Sequence, residues 1–214
     1  VNGFVMNSIK SIPAHREITD SYGSKCNRSY LIFYGFALED DKKCRNTIFL
    51  TIPQPDTNFR IQNMRNQLIS DNFSRNISGD FNSLNFRQLM NFLRISNANE
   101  SELKAFIHNP QLAQNPYNKR NEAAALSYLA FEADKLQESY PLTLKQNKRN
   151  VKKFAKYSNE SFATKLVIGE KNIINALLNF TQTALAVLLL NNRVLNRHLK
   201  NNINGYILTL QTMQ

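Results

Sequence analysis

Two cysteines, Cys26 and Cys44, are all that the 214 residues contain. They form no CxxC pair and have no histidine pair nearby, so no zinc site is expected, and a disulfide framework is excluded by number alone. A reducing compartment suits such a chain. Glycine is also scarce, with six in the sequence, and none of them builds a Gly-rich phosphate loop. The three histidines, His15, His108 and His198, are scattered without metal-ligand spacing and without a paired nucleophile. Surface positions are expected for them, and hydrolase triads and nucleotide-dependent chemistry have nothing to rest on. The longest uninterrupted apolar run, Ala184 to Leu190, falls far short of the ~20 residues that span a bilayer. A soluble chain with no membrane partner is expected. Without a signal peptide, Asn72-Phe73-Ser74 and Asn159-Glu160-Ser161 read as chance triplets rather than glycosylation sites.

Hydrophobic residues at 42% and charged residues at 20% set aside a disordered or fibrous class. The formal charge of +11 and a pI near 9.7 favour acidic partners: nucleic acid, an anionic surface or an acidic protein. An acidic remainder of a longer chain would balance the same sum. Asparagine is heavily used, as in Asn191-Asn192 and Asn201-Asn202, and reads as nucleotide bias rather than chemistry. The sequence opens on Val1 inside a strand-like pattern, which reads as a fragment, a processed form or a partly assigned sequence.

The first fifty residues read as β-rich with tight turns. Phe4 to Met6 with Ile9 form one strand candidate, and Glu17 to Tyr22, ended by Gly23, a second. Asn27 to Tyr34 has the spacing of a short helix, with Asn27 as cap and Gly35 as stop. Thr47 to Ile52, β-branched and aromatic, reads as a strand. The period then becomes helical over Phe59 to Ile69 and Phe86 to Ile95, and again after Asn99, where acidic residues suit the helix dipole. Asn121 to Tyr140 follows, ended by Pro141. Leu142 to Tyr157 carries Lys145, Lys148, Arg149, Lys152, Lys153 and Lys156 as one basic helix face, which suits an acidic protein or simply solvent. From Ser158, Ile174, Leu177, Leu178, Leu185, Leu188 and Leu189 make an apolar stripe that faces a core. Gly169 within it marks close approach of a neighbouring helix. The expected fold class is α+β: a short β-rich piece followed by a mainly α-helical array, with no linker and no internal repeat.

One segment carries more than packing. Ile12-Pro13-Ala14-His15-Arg16-Glu17-Ile18-Thr19-Asp20-Ser21-Tyr22-Gly23, then Lys25-Cys26-Asn27-Arg28, then Tyr34-Gly35-Phe36 before Glu39-Asp40, resembles the end of the SET domain in the Rubisco large-subunit methyltransferase and actin-histidine methyltransferase family. That family runs I-x-A-G-E-E-I-x-x-x-Y-G, then S-N, then Y-G-F before an acidic turn. Phe92-Leu93-Arg94, Ser101-Glu102-Leu103-Lys104 and Gly169-Glu170-Lys171-Asn172-Ile173 fall in order where its helical substrate-binding domain has like motifs. The resemblance divides the chain into residues 1–52, the C-terminal portion of a SET domain, and residues 53–214, the substrate-binding domain.

The resemblance implies methyl transfer from S-adenosylmethionine to a protein, most often to lysine. An in-line displacement of this kind is governed by alignment and electrostatic fit. Tyr22 would be the catalytic tyrosine, with its phenol oxygen in the channel between cofactor and target. Tyr34, Gly35 and Phe36 would be the cofactor-binding triplet: Tyr34 walls the channel, Gly35 lets the backbone approach, and Phe36 packs against adenine. Asn27, at the S-N position, is a structural cap. No metal is implied. The sequence departs from the family at Ala14-His15-Arg16-Glu17, which loses a glycine and an acid, and at Cys26-Asn27. The Asn-His element and the early strands that bind most of the cofactor would precede Val1, so this length alone does not complete a site. The competing function is a catalytically inactive SET-derived scaffold in a larger, ribonucleoprotein-like assembly. Either function places the protein inside the cell, in the cytoplasm, nucleus or an organelle.

Overall fold

A computed structural model describes residues 7–23, 25–38, 46–54, 58–69, 76–189 and 210. Among them are seven α-helices: α1 Asn27–Tyr34, α2 Phe59–Asn66, α3 Leu84–Ser96, α4 Glu100–His108, α5 Lys119–Glu138, α6 Leu144–Asn150 and α7 Asn159–Leu189. A 3-10 turn, Pro110–Gln114, joins α4 to α5. The described strands are β1, Ile48–Phe49, and β2, Asn76–Ile77, paired antiparallel with Ile48 opposite Ile77.

The helices start where their sequences supply caps. Asn58, Asn99 and Asn118 accept hydrogen bonds from the backbone N–H three residues on, at 2.9, 2.9 and 2.8 Å, opening α2, α4 and α5. At α4 the Glu102 carboxylate reaches back to the Asn99 N–H at 2.9 Å and completes a capping box. Thr143 and Gln146 make the same reciprocal pair at α6. A few of the asparagines in this asparagine-rich sequence therefore have a local structural role at helix starts.

The core is built between α3, α5 and α7. Leu89, Leu93, Leu126, Leu129, Ile174 and Leu177 are fully buried there. Phe81, Phe86 and Phe180 close one end, with ring centroids 4.7 to 5.3 Å apart and Phe86 edge-on to Phe180. Ile48, Leu50 and Ile52 add their buried alternate side chains from the β1 segment. A second cluster of Ile95, Leu103, Phe106 and Ala113 ties α2 and α4 to the end of α3. By length and composition α7 is able to cross a membrane, which the short uninterrupted run had not suggested. Here it is a core helix, packed against α5, α6, α1 and β1.

Several expectations need correction. Glu17 to Tyr22 forms no strand and Ile18 is exposed, because no described segment offers it a ladder. The β-rich reading of the first fifty residues thus reduces, among the described residues, to β1. Phe4 to Met6 lies outside them. Thr47 to Ile52 keeps strand-like alternation of burial, but only two residues join a ladder. The basic stretch is not one helix: α6 ends at Asn150, so Lys145, Lys148 and Arg149 sit on the helix while Lys152, Lys153 and Lys156 sit on the turns that follow. Leu189 of the expected stripe is 71% exposed at the end of α7. Gly169 does approach a neighbour closely, but that neighbour is a side chain and not a helix. A Cβ there would fall 2.8 Å from Cγ of Asn46.

Candidate functional site

The sequence-derived site residues converge around α1. Tyr30 stands near their centre, buried, with its hydroxyl donating to the Gly23 carbonyl at 2.5 Å. Its ring stacks on Phe36 at 5.1 Å between centroids. Tyr22 lies 4.6 Å from Tyr34 and 5.5 Å from Phe36. The Lys25 ammonium donates to the Tyr22 carbonyl and stands 5.8 Å from the Tyr34 centroid. Tyr22 is 55% and Tyr34 43% exposed, so both are open in part to the outside. Gly35, at φ 75°, is the left-handed C-cap of α1 and donates to the Leu31 carbonyl at 3.1 Å. That reversal carries Phe36 back over Tyr30. Sequence reasoning missed Tyr30, which reads there as one more apolar position on a short helix.

Asn27 does not cap α1. Cys26 is the N-cap residue, and no side chain makes the capping bond. The Asn27 amide instead grips Leu38 on both sides, donating to its carbonyl at 3.0 Å and accepting from its N–H at 2.8 Å. It thereby closes the loop that carries Phe36. Burial pushes the Cys26 thiol up, but hydrogen bonds from the Ser29 hydroxyl and from backbone N–H groups at the helix start outweigh it and hold the thiol below its ordinary value.

This N-terminal unit is fixed to the helical body through α7. Arg28 pairs with Glu170 at 3.8 Å, and Glu170 accepts the Tyr140 hydroxyl at 2.8 Å. Burial, then the hydrogen bond to the Glu170 carboxylate, pushes the Tyr140 phenol well above its usual value. Lys171, beside it, donates to the Leu142 carbonyl and lies 4.9 Å from the Tyr140 ring centroid. Burial lowers its pKa.

Between this unit and the body lies a cleft of about 410 Å³. Leu38 and Asn46, Val151 and Phe154, and Ile168 of α7 line it. Lys152, Lys156 and Lys165 also line it, with no acidic side chain among the described lining residues. No group of three or more His, Cys, Asp or Glu able to hold a metal occurs among the described residues.

A protein-family model described as Rubisco LSMT substrate-binding matches residues 56–174, more than half of the sequence. The chain belongs to the Rubisco LSMT substrate-binding family. That family is one of protein methyltransferases, and the partner implied by a substrate-binding domain is a protein. The match runs from just before α2 into the middle of α7. It therefore stops short of Tyr22, Tyr34, Gly35 and Phe36, whose assignment does not rest on it. A search of curated proteins found no match.

Within the substrate-binding domain, the charged members of the three sequence motifs turn out to be buried, with the exception of Lys104, which is exposed and pairs with Glu100. Arg94 is 2% exposed and holds Glu122 with two hydrogen bonds, Nε to Oε2 at 2.6 Å and Nη2 to Oε1 at 2.9 Å. Its Nη1 donates to the carbonyls of Ala113 and Gln114, at 3.2 and 3.1 Å. Glu102 accepts from Arg120 and from Asn118, the latter at 2.9 Å. The Asn121 amide donates to the Arg94 carbonyl at 2.9 Å. The arrangement ties α3, α4, the 3-10 turn and α5 into one body. Its ion pairs, Arg94–Glu122 and Arg120–Glu102, are matched, so they specify packing rather than offering a reactive group.

Proposed function

We propose that this chain is the C-terminal portion of an S-adenosylmethionine-dependent protein methyltransferase, with lysine as its target. Residues 1–52 are the end of the SET half, and residues 53–214 are the body that presents the protein substrate. The observation that carries the proposal is the clustering of Tyr22, Tyr30, Tyr34 and Phe36, whose neighbouring rings have centroids 4.6 to 6.4 Å apart, on a unit fixed to the substrate-binding body.

The turn before Tyr22 adds support. His15 adopts φ 64°, in the left-handed region, at the position where the SET pattern has glycine. The turn keeps the backbone shape that glycine serves, with Arg16 N–H donating to the Pro13 carbonyl at 3.3 Å.

The residues present fit the cofactor in kind. Electron-rich rings suit an adenine or a sulfonium. S-adenosylmethionine, when bound, supplies the methyl group. Tyr22 accepts a hydrogen bond from the target amine and so aims its lone pair along the line of displacement. Tyr34 walls that approach and keeps water from the nitrogen. Phe36, held by the Gly35 reversal and the Asn27 clasp, sets the distance between them. The cofactor is a cell metabolite, and the proposed location is intracellular.

Calorimetry with S-adenosylmethionine on the protein at its natural length tests this. Micromolar binding is expected, weakened in Tyr34→Ala and Phe36→Ala, while Tyr22→Phe keeps binding but loses transfer to protein. Absence of both binding and transfer would overturn the proposal. The competing scaffold reading draws on the net charge of +11. It requires salt-sensitive association with RNA or a stable assembly on gentle purification.

A further inference from the structure

We infer that the cleft between Leu38, the turns after α6, and α7 is where an acidic, amphipathic segment of the protein substrate docks. The inference rests on the substrate-presenting role proposed above and gives that role a place and a chemistry. Three features of the cleft point the same way. Its interior is aliphatic and aromatic, from Leu38, Val151, Phe154 and Ile168, which favours burial of one or two apolar side chains. Its charged lining, among the described residues, is of one sign, from Lys152, Lys156 and Lys165, which attracts carboxylates and repels basic sequences. The third feature is position. Leu38 is two residues from Phe36, a span of at most about 7 Å of chain, so a segment seated there has the aromatic cluster within reach of its next residues.

The lysines that matter are only in part those the sequence groups together: Lys152 and Lys156 belong to that group. Lys165 comes from α7, while Lys145, Lys148 and Arg149 of α6 do not line the cleft. A phosphate backbone would meet the same cations. A strand-tracking groove, however, offers successive stacking platforms, whereas Phe154 is the one aromatic side chain among the described residues lining this space.

The test uses the full chain and fluorescence anisotropy. The probe is a labelled twelve-residue peptide with a central Leu-Phe pair flanked by Asp and Glu. Comparison ligands are its Asn/Gln counterpart, a version with Ser-Ser at the centre, and a labelled single-stranded RNA of equal length. The triple variant Lys152→Gln, Lys156→Gln, Lys165→Gln should weaken the acidic peptide about tenfold or more. The variant Lys145→Gln, Lys148→Gln, Arg149→Gln, equal in net charge, should change it less than threefold. Phe154→Ala should weaken the Leu-Phe peptide but not the Ser-Ser one. If melting shows the cleft triple to be unfolded, the single change Lys156→Glu at an exposed turn serves instead, with at least a threefold loss expected. Equal weakening by both triples would overturn the inference, because net charge alone would then act. So would cleft-dependent binding of RNA with none of the peptide. Loss of methyl transfer with peptide binding intact would sink the methyltransferase reading alone, and transfer to a protein whose binding ignores the three lysines would sink the cleft alone.

Discussion

Residues 7–38 and the helices from α3 onward treat apolar surface in opposite ways. In the body, large side chains such as Phe86, Phe106 and Leu129 are sealed, and even the charges of Arg94 and Glu122 are inside. Around α1, Ile18, Ile32 and Phe33 face outward, together with the rings of Tyr22 and Tyr34. The body is held by area and by satisfied pairs. The N-terminal unit is held by a few directed contacts: the Tyr30 hydroxyl, the Asn27 clasp and the Arg28–Glu170 pair. A region with so little buried surface gives up a small free energy when it opens, and the two regions should therefore differ in opening cost.

The largest effect should come from the body. Glu122→Gln leaves the Arg94 guanidinium buried without its counter-charge, and about 3–5 kcal/mol of stability should be lost in denaturant unfolding. Gly169→Ala tests the seam between the regions. The new methyl meets Asn46, and about 1–3 kcal/mol should be lost as that side chain is displaced. Asn27→Ala should cost about 1–2 kcal/mol locally. Hydrogen exchange at the Leu38 amide should accelerate while α3 and α5 keep their protection. If the global midpoint instead falls as far as in Glu122→Gln, the two regions are one cooperative unit and the contrast fails.

Tyr140→Phe reads the joint through pH. Because the folded state holds the Tyr140 phenol protonated above its ordinary value, its contribution is fully present below about pH 10 and fades as pH rises beyond it. The variant should lose less than about 1 kcal/mol near neutrality and show a flatter alkaline limb in thermal melts between pH 9 and 11. The smallest change is a gain: His15→Gly relieves a left-handed residue and should add up to about 1 kcal/mol to the N-terminal unit alone.

The body was legible because burial repeats at helical spacing. Ile174, Leu177 and Leu188 announce the inner face of α7, and Pro141 and Gly35 mark ends that the chain respects. The caps were legible only in part. Asn99 and its acidic first turn stood out, whereas Asn58 and Asn118 disappeared into an asparagine-rich background. Pairings across the fold left no local trace. Arg94 and Glu122 are far apart in the chain, and neither residue alone signals burial. At the candidate site, Tyr22, Tyr34 and Phe36 stand out through their resemblance to a family's motifs, but Tyr30 belongs to no motif. Its part follows from the turn at Gly35, which only three dimensions display. Lys165 was missed for the same reason, and the six basic residues of 145–156 were wrongly gathered onto one helix because lysine favours helix and hides its end.

The seat of Asn46 against Gly169 also sets a schedule. Its two halves are well over a hundred residues apart, and α1 and β1 rest on α7 as well. On a ribosome adding 5–20 residues per second, roughly 6 to 25 s separate the emergence of residue 46 from that of its socket. Through that interval Ile48, Leu50 and Ile52, buried in the finished fold, have no α7 to settle on, and they must be tolerated by the nascent chain or sheltered by a chaperone.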